Sequence, residues 1–307
     1  SLSRHSLGLL ALTGTEEIFA IDGQHRVEGM KSAIHYGTDL ADDLQSVIFV
    51  AHKTSEKGRI RTRRLFFTLN KYAKPVSAGE LVALREDDVF AIATRRIIDE
   101  SGLLNSHSVP MTPKPNLPPG DENGFISVLG LYDIVSSICL PYRDERRNKM
   151  KKGPPKKADV DLAYGETMKY LQCLASSIRS IREVTGRSPK KAAGVFRVKS
   201  GGNVLFWFVG IRSFTKAVRI AMDRGDTMQA AVRKLAKVPM LIDQVPWVGT
   251  LWNRTAEKIN HKNGALALNI FLKWSGYEME PRGFPLLKKY REALDDDTAA
   301  LPPQLCK

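Results

Sequence analysis

Asp22-Gly23-Gln24-His25-Arg26 lies between a short apolar run, residues 18–21, and a stretch of helical spacing, residues 26–36. No other feature constrains the chain as much. Val27, Met30, Ala33 and Ile34 share one helical face, and Gly37 stands where a glycine commonly stops a helix. Residues 8–12 and 18–21 flank a polar turn and predict a hairpin, and residues 45–52 (QSVIFVAH) predict a buried strand. Residues 18–52 therefore predict strand, tight turn, helix and strand, a compact βαβ-like unit.

The turn carries chemistry of its own. Gly23 permits a positive φ. The amides of Gln24, His25 and Arg26 then fall in a first helical turn, where they lack intrahelical partners and, with the helix dipole, attract an anion. Arg26 adds a planar fork of donors suited to phosphate. Asp22 can bind Mg²⁺, hold Arg26 or orient an attacking water, and His25 can donate to a phosphate or shuttle a proton. On the residues alone a plainer account stays open: Asp22 as an ordinary N-cap, with His25 and Arg26 on the surface. Neither GxxxxGK[ST] nor GxGxxG occurs.

Charge gives a second pointer. The 307 residues hold 47 Lys+Arg against 33 Asp+Glu, a formal net charge of +14. Residues 143–157 (RDERRNKMKKGPPKK) and 187–199 (RSPKKAAGVFRVK) concentrate that excess. Arg143, Arg146, Arg147, Lys149, Lys151, Lys152, Lys156, Lys157, Lys190 and Lys191 are the candidate contacts to DNA phosphates, which such clusters attract by counterion release. A solvated loop explains the same residues equally well. No zinc-finger spacing, RNA-recognition aromatic signature or helix-turn-helix pattern supports sequence-specific readout.

The remaining pattern is mostly helical. Helices are expected over residues 61–70, broken by Lys74-Pro75, and after a capping box at Ser77–Glu80. Others are expected over 89–101, 126–139, 162–183, 227–235, 248–259 and 265–274. Residues 106–123 read as loop or boundary, and residues 203–209 as a strand or the start of a helix continuing through 220. The fold class expected is an α/β N-terminal domain, residues 1–110, followed by a mainly α-helical basic domain, residues 111–307. A 43% apolar, 26% charged composition excludes collagen and wholesale disorder. Cys139, Cys173 and Cys306 are far apart with no CxxC pair, so a reducing, cytoplasmic setting is expected, with Cys139 and Cys173 as inert core residues. There is no run of eighteen apolar residues and no signal-peptide pattern, so no membrane segment is expected. The histidines show no zinc spacing. Asp295-Asp296-Asp297 reads as a solvated acidic tail. Trp207 and Trp274 read as core, whereas Trp247 and Trp252 remain open between core packing and base stacking.

DGQHR followed by an apolar helix, with Leu69-Asn70 and Lys74-Pro75-Val76-Ser77 downstream, resembles the DGQHR-domain family. That family includes the DndB-type DNA sulfur modification proteins and relatives in deazaguanine DNA modification. Softer likenesses are residues 203–210 (NVLFWFVG) and Pro246-Trp247 to Trp252-Asn253-Arg254. The resemblance implies a ParB/sulfiredoxin-like fold in the first domain, whose corresponding turn binds nucleotide phosphates. It implies a nucleotide-binding, ATP-hydrolysing, DNA-associated protein of a phosphorothioate or 7-deazaguanine DNA-modification or phage-defence system. Asp22, Gly23, Gln24, His25 and Arg26 would form the phosphate site, with Asp22 holding Mg²⁺ and Asp22, His25 and Arg26 acting in catalysis. Asn70, Lys71 and Lys74 are weaker candidates from the second motif. DNA, a nucleotide, other DNA-modification proteins and a second copy of the chain are the partners expected. The motif begins at position 22, whereas relatives carry a substantial preceding segment, which implies that part of the sheet lies outside this sequence. The rival functions are a non-enzymatic DNA-binding regulator and a Mg²⁺-dependent nuclease that nicks DNA with Asp22 and His25.

Overall fold

The structure is a computed structural model that describes residues 11–37, 44, 46–73, 77–118, 120–152 and 154–303; the side chains of His25 and residues 70–73 are also outside the description. The chain forms two compact units, Ser1–Pro75 and Val76–Lys307. The division falls at the Lys74-Pro75 break, upstream of the 110/111 boundary expected from sequence.

In the first unit, α1 spans Gln24–His35 and α2 spans Glu56–Ala73. Helix α1 ends where Gly37, at φ 81°, donates its amide to the Ile34 carbonyl (3.0 Å). Among the described residues of this unit no strand forms. The runs at 18–21 and 46–50 are irregular, and Ile18, Phe19 and residues 47–50 are exposed. An extended apolar run becomes a strand only when a neighbour supplies the other half of its ladder, and no described segment here does. Residues 51–53 lie instead against the start of α2. Arg61 donates to the Ala51 carbonyl (2.6 Å), and His52 Nδ1 shares a hydrogen bond with the Thr62 hydroxyl (2.7 Å). A Cβ on Gly58 would come within 2.0 Å of the Lys53 carbonyl. The Phe19 ring meets His52 edge-on at 5.4 Å, which ties the segment before the motif to the same place.

The second unit is helical. Helix α3 (Ala78–Leu84) opens with the expected capping box: Glu80 N–H donates to the Ser77 hydroxyl, and Ser77 N–H donates to the Glu80 carboxylate at 2.7 Å. Asp88 caps α4 (Val89–Glu100) through the amides of Phe90 and Ala91, and it accepts from the Tyr132 hydroxyl at 2.8 Å. Burial pushes this carboxyl above its usual range. Helix α5 covers Val128–Ile138 and α6 Arg146–Met150. The expected helix at 162–183 is two helices, α7 (Lys157–Ser177) and α8 (Arg179–Val184), which meet at the extended backbone of Ile178.

The 203–209 ambiguity resolves as a 3-10 turn, Val204–Phe206, leading into α9, Phe208–Asp223. Helix α9 packs against α5, against α10 (Met228–Leu235) and against α11 (Gly264–Trp274). The Phe214 ring meets Phe271 edge-on at 5.3 Å. Helix α12, Leu286–Leu294, packs on α11.

The helix expected at 248–259 is absent. A two-stranded hairpin stands there, with Trp252 opposite Ile259 and Asn253 opposite Lys258 (β1, Trp252–Asn253; β2, Lys258–Ile259). Local chemistry explains it. Gly249 takes φ 79°, Glu257 takes φ 46°, and the Asn253 side chain accepts the Ala256 amide (2.8 Å), which offers the backbone a turn in place of a helix. All four tryptophans are buried; Trp207 packs on Trp252 and Trp247 on Phe271, so none offers a base-stacking surface. Cys139 is buried as expected, and burial pushes its thiol up to about 12.

Among the described glycines of this unit, Gly210 has the closest backbone neighbour. A Cβ there would sit 1.9 Å from the Val204 carbonyl oxygen. Gly210→Ala must push the 3-10 turn off α9, and a cost of about 1–3 kcal/mol is expected, as for other overpacked cores. Urea unfolding should show a lower midpoint with unchanged slope; an unchanged midpoint would contradict the packing described.

Candidate functional site

Gly23 adopts φ 78°, ψ 18° and stands at the N-cap of α1. Only a residue without Cβ takes this left-handed backbone at no cost. No side chain caps the helix, so Asp22 is not the N-cap acceptor. The first intrahelical bond runs from Val27 N–H to the Gly23 carbonyl (3.0 Å), and the amides of residues 24–26 precede it. Arg26 folds back over the glycine: a Cβ on Gly23 would meet its Nη2 at 3.2 Å. Arg26 Nη2 and Asp22 Oδ2 stand 3.8 Å apart, with the side chains 75% and 54% exposed. An ion pair that exposed and that long contributes at most a few tenths of a kcal/mol, roughly. It leaves both groups available to a ligand.

Gln24 departs from expectation in one respect. Its side-chain amide donates to the Ala20 carbonyl (3.0 Å), so it braces the bend, and its main-chain amide is the group left for an anion. His25, Asn70 and Lys71 have no described side chain, and Lys74 lies outside the described residues. Among the described residues no three His, Cys, Asp or Glu side chains gather as metal ligands, so Asp22 stands as a single carboxylate. The arginines of α2 (Arg59, Arg61, Arg63, Arg64) share the unit with the motif and were not singled out from sequence; their signal is the run GRIRTRR itself.

The basic block separates into two kinds of residue. Arg147 is a structural group: Nε donates to the Ser136 carbonyl (2.7 Å), Nη1 to Tyr142 (3.0 Å), and Nη2 to Leu140 (3.3 Å) and Pro141 (2.9 Å). It satisfies carbonyls that the end of α5 leaves without partners. Arg146 chelates Asp144, Arg143 pairs with Glu280, and Lys191 pairs with Glu183 at 3.1 Å. Lys151 is half-buried, with its ammonium 5.9 Å from the centre of the Tyr132 ring. Lys149, Lys152, Lys156, Lys157 and Lys190 are exposed, and among the described residues none of them forms an ion pair. These five keep their charge for a polyanion.

A family model for DndB, described as DNA-sulfur modification-associated, matches residues 1–180. The chain belongs to the DndB family. No curated protein and no solved structure matches it. The DndB match contains the Asp22–Arg26 turn and the block at 143–157, and it ends before residues 187–199, 203–210 and 246–254. Membership associates the protein with a DNA-modification system and with DNA. No helix among the described residues is long and apolar enough to cross a membrane.

Gly23→Ala tests the turn directly. A side chain at this φ costs about 1–2 kcal/mol and crowds the Arg26 fork. Amide hydrogen exchange in α1 should accelerate by roughly tenfold; exchange equal to the wild type would show that the left-handed turn is not required.

Proposed function

We propose that this DndB-family chain binds a nucleoside triphosphate at the Asp22–Arg26 turn, hydrolyses its β–γ bond, and contacts DNA phosphates through the exposed lysines of its second unit. One observation carries the reading: a left-handed glycine sets three amides outside the helix ladder, and the Arg26 guanidinium is folded over the same bend. Free amides and a helix N-terminus suit a phosphate tail, and the guanidinium suits the charge that spreads over the γ-phosphoryl oxygens in the transition state. Asp22 would be the residue to hold Mg²⁺, and the ion would supply charge neutralisation at the phosphate tail. In this scheme water attacks the γ-phosphorus, the bond to the bridging oxygen breaks, and the nucleoside diphosphate, inorganic phosphate and a proton leave. Asp22 or His25 orients the water, and catalysis rests on positioning and charge. Such a role fits a phosphorothioate or deazaguanine modification system, or phage defence.

A second reading is a non-enzymatic DNA-binding regulator in which the turn is a nucleotide switch. The exposure of Arg26 and Asp22 favours it, because phosphoryl transfer gains from excluding water. Steady-state phosphate release by the full chain with ATP and Mg²⁺ separates the two. Arg26→Ala and Asp22→Ala, with unchanged circular dichroism, should each lower turnover by about 10²-fold or more. Binding without turnover of any triphosphate would establish the regulator, and nicking of supercoiled plasmid with Mg²⁺ and no nucleotide would establish a nuclease.

DNA contact has a separate signature. Replacing Lys149 and Lys152 together by alanine should reduce the slope of log affinity against log salt by about 1.8, roughly 0.9 for each phosphate no longer neutralised. Arg147→Ala should instead lower the unfolding midpoint, since it strips the end of α5 of its donors. Affinity insensitive to salt would refute the lysine interface.

A further inference from the structure

Arg197 belongs to the basic stretch 187–199, yet it is 1% exposed. Its Nε donates to the Phe206 carbonyl (2.9 Å) and its Nη2 to the Phe125 carbonyl (2.7 Å), while Nη1 has no partner. Among the described residues no carboxylate forms an ion pair with it. Burial lowers its pKa to about 10, opposed by the charge of Asp121, so the guanidinium remains cationic at neutral pH. A buried cation with an unmet donor is an expensive arrangement unless something offsets it.

The surroundings share its sign. Arg197 lines a narrow cavity together with Ser127, at the N-cap of α5, and with Trp207 and Phe208, at the start of α9. The Ser127 hydroxyl is engaged, donating to Pro115 and accepting from Gly130. Helix α9 has no side-chain cap, and its first bonds run from Gly210 and Ile211 to the Trp207 carbonyl. Two helix N-termini and one guanidinium therefore place positive potential on one half-open space. Leu117, Leu205 and Ile211 make the rest of the wall apolar. The space open to the centre of a water-sized sphere is about 10 Å³, room for one small species. A nucleotide or a DNA phosphate is too large for it.

We propose that this cavity is a binding site for a single monovalent halide of chloride size, held by Arg197 between the N-termini of α5 and α9. The ion accepts from Nη1 and neutralises the buried charge. A water molecule would meet the donor and add nothing to the compensation that the charge of Asp121 supplies. Bound there, the halide fastens residues 125–127 and 206–208 around one guanidinium. The site is independent of the nucleotide turn, which lies in the other compact unit.

The test uses the full chain. Crystals grown from chloride and measured at long wavelength should show an anomalous peak within hydrogen-bond distance of Arg197 Nη1. A non-scattering water or empty density there overturns the proposal, as does chloride found only elsewhere on the surface. In solution, replacing gluconate by chloride at constant ionic strength should raise the unfolding midpoint by about 2–4 °C. Arg197→Gln should abolish that difference. If this variant does not fold, the wild-type pair decides, and equal midpoints in the two salts overturn the site.

Discussion

Helix α9 sets the terms for the second unit. Ten of its sixteen residues are buried, so it has no solvent face wide enough to leave uncovered. Everything around it is arranged to close over it and to satisfy the polar groups it takes inside. Thr215 donates to the Ile211 carbonyl and shares a hydrogen bond with the Tyr170 hydroxyl at 2.9 Å. Ser213 donates across to the Gly264 carbonyl. Helices α5, α10 and α11 supply the apolar surface. Gly210 is the point where the approach is closest, because the preceding 3-10 turn doubles back over the helix start.

What was legible in the sequence was local. The spacing of Val27, Met30 and Ile34 and the stop at Gly37 give α1, and Ser77 with Glu80 gives a capping box, because each of these is decided within about a turn of chain. Strand character at 18–21 and 46–50 was legible only as composition; a ladder depends on a partner segment that spacing does not reveal. The hairpin at 252–259 escaped for the opposite reason. One asparagine side chain and two positive φ angles outweigh a helical apolar spacing.

Charge was the least transparent signal. Residues 143–157 and 187–199 read as surface by count, yet Arg147 is spent on four carbonyls and Arg197 is interior. Within these two blocks the charge left for DNA therefore rests on lysines more than on arginines. A hint was present: Arg197 stands between Phe196 and Val198, and long cationic stems do pass through apolar ground. The DGQHR turn was the most readable element because a glycine, an arginine and a helix start define it within five residues.

All four tryptophans lie in Val76–Lys307, buried, and none lies in the unit that carries the DGQHR turn. Indole emission therefore follows the melting of the helical unit and is blind to the other. Tyr36 and Tyr72 are the intrinsic chromophores of the motif's own unit. A denaturation curve recorded by tryptophan alone would look like a complete transition while the DGQHR unit went unobserved.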